Sequence, residues 1–115
     1  MPILNALAGI MVHDLETAVA WYEKLLNRPA DKRPMAGLAE WHMHDGGWIQ
    51  VYQDKERAGY SSVTFAVNQF EEHLDILKAK AIPVEATTSS EYVKTATVKD
   101  PSGNRVVFAE LADLL

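Results

Sequence analysis

Cysteine is absent from the 115-residue sequence. That excludes disulfides, thiolate-bound zinc and thiol nucleophiles, and it fits a reducing, cytoplasmic setting. Long apolar runs are missing too. The opening Met1-Pro2-Ile3-Leu4-Asn5 has neither the basic region of a signal peptide nor the length of a membrane-spanning stretch, so no membrane partner is expected. Positive charge is in short supply: 11 Lys and Arg stand against 16 Asp and Glu, a formal net charge of −5, with no basic cluster. Such a chain repels phosphate backbones, so nucleic acid is not an expected partner either. What remains is ordinary globular material, 48% hydrophobic and 23% charged. It is enough for one domain with its own core.

No Gly/Ser-rich or Pro-rich linker divides the chain, yet its elements come twice. Leu7 to Val12 is short and apolar and reads as a strand. Asp14 offers an N-cap, Leu15, Val19, Tyr22 and Leu26 follow at helical spacing, and Asn27-Arg28-Pro29 stops the helix. From Ser62, Val63, Phe65 and Val67 alternate with more polar neighbours, the period of a half-buried strand. Asn68 with Glu71 resembles a capping box. Phe70, Leu74 and Leu77 then mark a helix face that ends at Ala81-Ile82-Pro83. An offset of 55 residues carries Val12 onto Val67, Leu15 onto Phe70, Val19 onto Leu74 and Tyr22 onto Leu77, so both copies keep one apolar face.

Each helix is followed by further strands. Glu40 to His44 turns at Asp45-Gly46-Gly47 into Trp48 to Gln53, and Tyr92 to Lys99 turns at Asp100-Pro101-Ser102-Gly103-Asn104 into Arg105 to Glu110. Pro101 suits the first central turn position, while Gly103 and Asn104 tolerate positive φ. The expected class is α+β, with two tandem copies of strand–helix–strands–hairpin at about 1–57 and 58–115. The alternative is an α+β sandwich without true duplication.

Three stretches carry a resemblance to the vicinal oxygen chelate superfamily of glyoxalases, bleomycin-resistance proteins and extradiol dioxygenases. MVHDLETAVAWYEKLL is similar to that family's first strand–Asp–Leu–helix, with Trp21-Tyr22 as its aromatic pair; VTFAVNQFEEHLDILKAKAIPV is the same element in the second module. TVKDPSGNRVVFAE resembles the Asp-Pro-x-Gly-Asn hairpin that feeds the last strand. The resemblance implies two tandem βαβββ modules whose eight strands form two curved mixed sheets around a shared cavity, often in a homodimer, and in metal-dependent members four ligands inside it. Carried onto this chain, those four places are Leu7, Gln50, Ser62 and Val107. Leu and Val have no lone pair to offer, Ser is a poor neutral ligand, and one amide oxygen does not hold a transition metal. No metal or other cofactor is expected.

Four histidines are candidates for chemistry. His42 and His44 alternate with Glu40 on one strand and would share a face, either as an unusual chelate or general base with Gln50, or as a plain polar face opposite Trp41 and Met43. His13, before the capping Asp14, and His73, on the second helix beside Glu72, read as solvated. Trp48, Gln50 and Tyr52 alternate on one strand, two aromatics flanking an amide. They form either a pocket wall or a packing surface for the other module or a second subunit. On the second module Ser62, Thr64, Thr97 and Arg105 are the matching polar lining, with Arg105 free to meet a carboxylate or to pair with Glu110 or Asp100. Asp100 and Asn104 read as turn-building residues, and Glu110 as no ligand.

The first expectation is a metal-independent protein that binds a planar or aromatic small molecule through Trp48, Gln50, Tyr52, His42, Ser62 and Arg105. The second is a glyoxalase-like lyase, isomerase or dioxygenase with a non-standard site at His42, His44 and Gln50. A third is a cavity plugged by its own side chains, in a protein that binds partners.

Overall fold

A computed structural model describes residues 2–112; residues 1 and 113–115, the outer margins of the two modules drawn above, lie outside the description. The first module runs β1 (Leu7–Val12), α1 (Leu15–Leu26), β2 (Lys32–Met35), β3 (Leu38–His42) and β4 (Trp48–Gln53). The second runs β5 (Ser62–Ala66), α2 (Phe70–Ala79), β6 (Ala86–Ser89), β7 (Val93–Lys99) and β8 (Arg105–Leu111). Each module folds into its own four-stranded sheet, β1-β4-β3-β2 and β5-β8-β7-β6. Within each sheet the first and last strands are parallel and the rest antiparallel. The duplication read from the 55-residue offset is therefore real.

Local chemistry sets the boundaries. Asp14 caps α1, its carboxylate accepting from the backbone N–H and the hydroxyl of Thr17 at 2.9 and 2.7 Å. Those bonds hold the Asp14 carboxyl below its ordinary range. Asn27 closes the helix at φ 60°, the left-handed conformation that Asn tolerates. The capping box expected at Asn68 does not form. Gln69 occupies the N-cap in a left-handed conformation, φ 51°, without a side-chain bond of its own, and Glu110 on β8 reaches across to accept the Phe70 N–H at 3.2 Å.

Ile10 and Val12 of β1, Ala39 and Trp41 of β3, and Ile49 and Val51 of β4 are buried in one cluster with Leu15, Val19 and Tyr22 of α1. The same cluster takes in Leu77, Ile82, Val98, Val106 and Phe108 of the second module. The two modules also meet through polar groups. Asn104 accepts from the Ser61 N–H and donates to the Met11 carbonyl and the Asp100 carboxylate. The Met11 N–H bonds Ser61 Oγ, and the buried Tyr22 hydroxyl donates to Asp100 at 2.9 Å. Burial, with the Asp100 charge beside it, pushes the Tyr22 hydroxyl far above the usual phenol range, so it stays a donor. Asp100 and Asn104 are structural, as read, and they tie modules together as well as building a turn.

Candidate functional site

Strand alternation decides which side chains can act. Ile49 and Val51 point into the core, so Trp48, Gln50 and Tyr52 emerge on the opposite, open face, each half-buried. Register places Leu7, Gly9 and Met11 beside them on one flank and His42, Glu40 and Leu38 on the other. Gly9, opposite Gln50, adds no side chain there.

Four of these residues form a cluster. The His42 imidazole lies flat on the Trp48 indole, ring centres 3.6 Å apart and planes 10° from parallel. The Gln50 amide donates to Glu40 Oε2 at 2.7 Å. Glu40 Oε1 stands 3.6 Å from His42 Nε2, and that nitrogen is shielded from solvent without a hydrogen bond. Glu40 is a buried carboxylate, 6% exposed. Three hollows border the cluster. One of about 370 Å³ is lined by Met35, Leu38, Gln50 and Tyr52 among others, one of about 240 Å³ by Leu7, Trp48, Thr64 and Phe65 among others, and one of about 460 Å³ by Arg28, His42, Met43 and His44 with Leu26. The first and third fall in the size range of small-ligand sites.

Several expectations need correction. His44 does not share the strand face with His42: β3 ends at His42, and the His44 side chain is 99% exposed on the turn beside Asp45. The two-histidine chelate fails because the strand ends two residues short of His44. His73 is not freely solvated. Its ring packs 4.3 Å from Phe108, and its Nε2 is covered and has no hydrogen-bond partner. Burial, with the Lys80 charge adding, lowers its affinity for a proton. Arg105 is exposed and takes neither proposed carboxylate: Glu110 caps α2, and Asp100 is engaged by Tyr22, Ser102 and Asn104. Ser62 and Arg105 face each other across the β5–β8 ladder on the second sheet and line none of the three hollows. Thr64 does reach the hollow beside Trp48.

A family model described as the Glyoxalase/Bleomycin resistance protein/Dioxygenase superfamily matches residues 3–108. The chain belongs to this superfamily. Among solved structures it is similar to a glyoxalase/bleomycin resistance protein from Catenulispora acidiphila DSM 44928, at 26% identity and TM-score 0.85, over 95% of this chain and 99% of that one. It shares its fold with a lactoylglutathione lyase from Agrobacterium tumefaciens (17% identity, TM-score 0.81, 95% and 94% covered). It also shares it with TnmS3, an antibiotic binding protein from Streptomyces sp. CB03234 (14% identity, TM-score 0.82, 97% and 99% covered). Curated proteins give no match.

The superfamily's metal chemistry can be tested against the register. Gln50 lies opposite Gly9, and Val107 lies opposite Thr64. Moving any assigned ligand place by two residues, the smallest shift that keeps its face, offers Asn5 or Gly9 for Leu7, Tyr60 or Thr64 for Ser62, Trp48 or Tyr52 for Gln50, and Arg105 or Ala109 for Val107. None is an imidazole or a carboxylate. Glu40 and His42 lie opposite Gln50 and Trp48, but on β3, which carries none of those places. Among the described residues no group of three or more His, Cys, Asp or Glu side chains could hold a metal ion. The residues at these positions do not fit the superfamily's metal.

Proposed function

We propose that the protein binds a planar or aromatic small molecule without the help of a metal, on the open face of the first sheet. The single observation behind this reading is the cluster on β3 and β4: a His42–Trp48 stack, an amide held by a carboxylate, and Tyr52 at the rim of a hollow of about 370 Å³. Flat rings stack on indole and phenol faces, an arrangement worth about 1 kcal/mol beyond burial, while Gln50 orients a polar substituent. The chemistry of Leu7, Ser62 and Val107 supports a role that needs no chelation. A structural neighbour that is an antibiotic binding protein supplies a precedent for the fold in such a role.

The reading includes a homodimer. Ser62 and Arg105 were expected to line the same cavity, yet they sit on the second sheet, apart from the hollows around Trp48. A second copy laid against the open face would bring its own Ser62 and Arg105 to the ligand.

Titration with flat aromatic compounds, followed by tryptophan fluorescence, tests the site. Trp41 is buried and Trp21 sits on α1, packed against the core on the side of the sheet away from the open face, so quenching by a ligand bound to that face is expected to come from Trp48. Trp48→Ala should remove that quenching and weaken binding by roughly tenfold or more. Unchanged affinity in a folded variant would move the site elsewhere.

A further inference from the structure

Among the residues that β1, β3 and β4 turn toward the open face, Glu40 is the only carboxylate, and it is buried with 8% of its side chain exposed. A carboxylate in the middle of a sheet is costly unless a cation or several donors meet it. Glu40 has one neutral donor, the Gln50 amide on Oε2. Its neighbour on the edge strand, Lys32, is exposed and forms no ion pair with it. His42 Nε2 approaches Oε1 only to 3.6 Å and completes no hydrogen bond. Oε1 is therefore held at the edge of an aromatic stack with no donor on it. An apolar residue would serve the sheet alone at less cost.

We propose that Glu40 selects ligands that carry a basic nitrogen, such as an amine, an amidine or a protonated aminoheterocycle on a flat ring. This rests on the reading that the open face holds a planar ligand. The ring lies along Trp48 and Tyr52, and the cationic N–H donates to Glu40 Oε1. The net charge of −5 draws such cations toward the molecule as a whole, and the buried carboxylate gives the attraction its place.

Two tricyclic probes of similar outline separate the claims: proflavine, a cation near neutral pH, and acridone, which is neutral. Both are titrated against the full chain by fluorescence anisotropy. Proflavine is expected to bind on the order of tenfold more tightly than acridone. In Glu40→Gln that preference should fall to within about twofold, whereas Glu91→Gln, which removes the same charge from an exposed loop, should leave it intact. Equal affinities in the wild-type protein would overturn the selection whether or not the Gln variant folds. So would a preference that survives Glu40→Gln. In either case binding that still depends on Trp48 would leave the planar-ligand reading standing. Failure of both probes to bind would overturn both.

Discussion

His73 lies three residues after Phe70 and four before Leu77, on the stripe that carries the helix's apolar face. Its position therefore announced partial burial, although the neighbouring Glu71 and Glu72 draw the eye toward solvent. Burial is the main cause of its lowered proton affinity, and the sign of the consequence is fixed. The folded protein holds the imidazole proton less tightly than the unfolded chain, whose histidine titrates near the ordinary value of 6.5. As pH falls through that value the unfolded state is protonated first, so stability is full above it and declines below it. The thermal midpoint should thus fall between about pH 7 and pH 5. His73→Leu, which places an apolar group against Phe108, should shallow that decline without lowering the midpoint at about pH 8. An unaltered acid limb in the variant would assign the loss to other groups. Asn104 illustrates the opposite case. Its turn was readable from Asp-Pro-Ser-Gly-Asn, but its bonds to Ser61 and Met11 span 43 and 93 residues, and no local pattern encodes partners so distant.

The elements most easily read were those with a strong period or strong punctuation: both helices, β1, β4, β5, β8 and the two hairpins. β2 and β6 were legible only as the extra strand implied by the family resemblance. Each has four residues, all exposed, so neither displays the alternation that reveals a strand, and Pro34 in β2 argues against one except at an edge. The start of α2 misled for a different reason. Asn68 and Glu71 have capping-box spacing, but Glu110 from β8 takes the Phe70 N–H instead, adding negative charge where the helix dipole favours it. Glu110→Ala should therefore cost about 1 kcal/mol of unfolding free energy. Urea denaturation would read this directly, with Asn68→Ala as a control that changes it by less than about 0.5 kcal/mol. A larger effect from Asn68 would restore the local cap.

At the scale of the whole molecule, the duplication sets two similar sheets side by side but gives their open faces different chemistry. The first presents Glu40, His42, Trp48, Gln50 and Tyr52; the second presents Ser62, Thr64, Thr97 and Arg105. Apolar side chains interrupt both polar faces: Leu7 is 45% exposed and Met35 66% on the first sheet, and Leu111 is 42% exposed on the second. Exposed apolar groups rimming a polar face are what an association surface looks like, and twofold pairing would lay one copy's first sheet against the other's second. Sedimentation equilibrium at tens of micromolar should accordingly give twice the chain mass, and Met35→Asp with Leu7→Asp should shift it toward a single chain. If Arg105 from the second copy completes the ligand site, Leu111→Asp, on the same face of the second sheet as Arg105 and outside all three hollows, should lower the mass and weaken binding of a planar probe together, whereas Arg105→Ala should weaken binding without changing the mass. A wild-type protein that sediments as one chain yet binds the probe through Trp48 would confine the site to the first sheet and remove Ser62 and Arg105 from it.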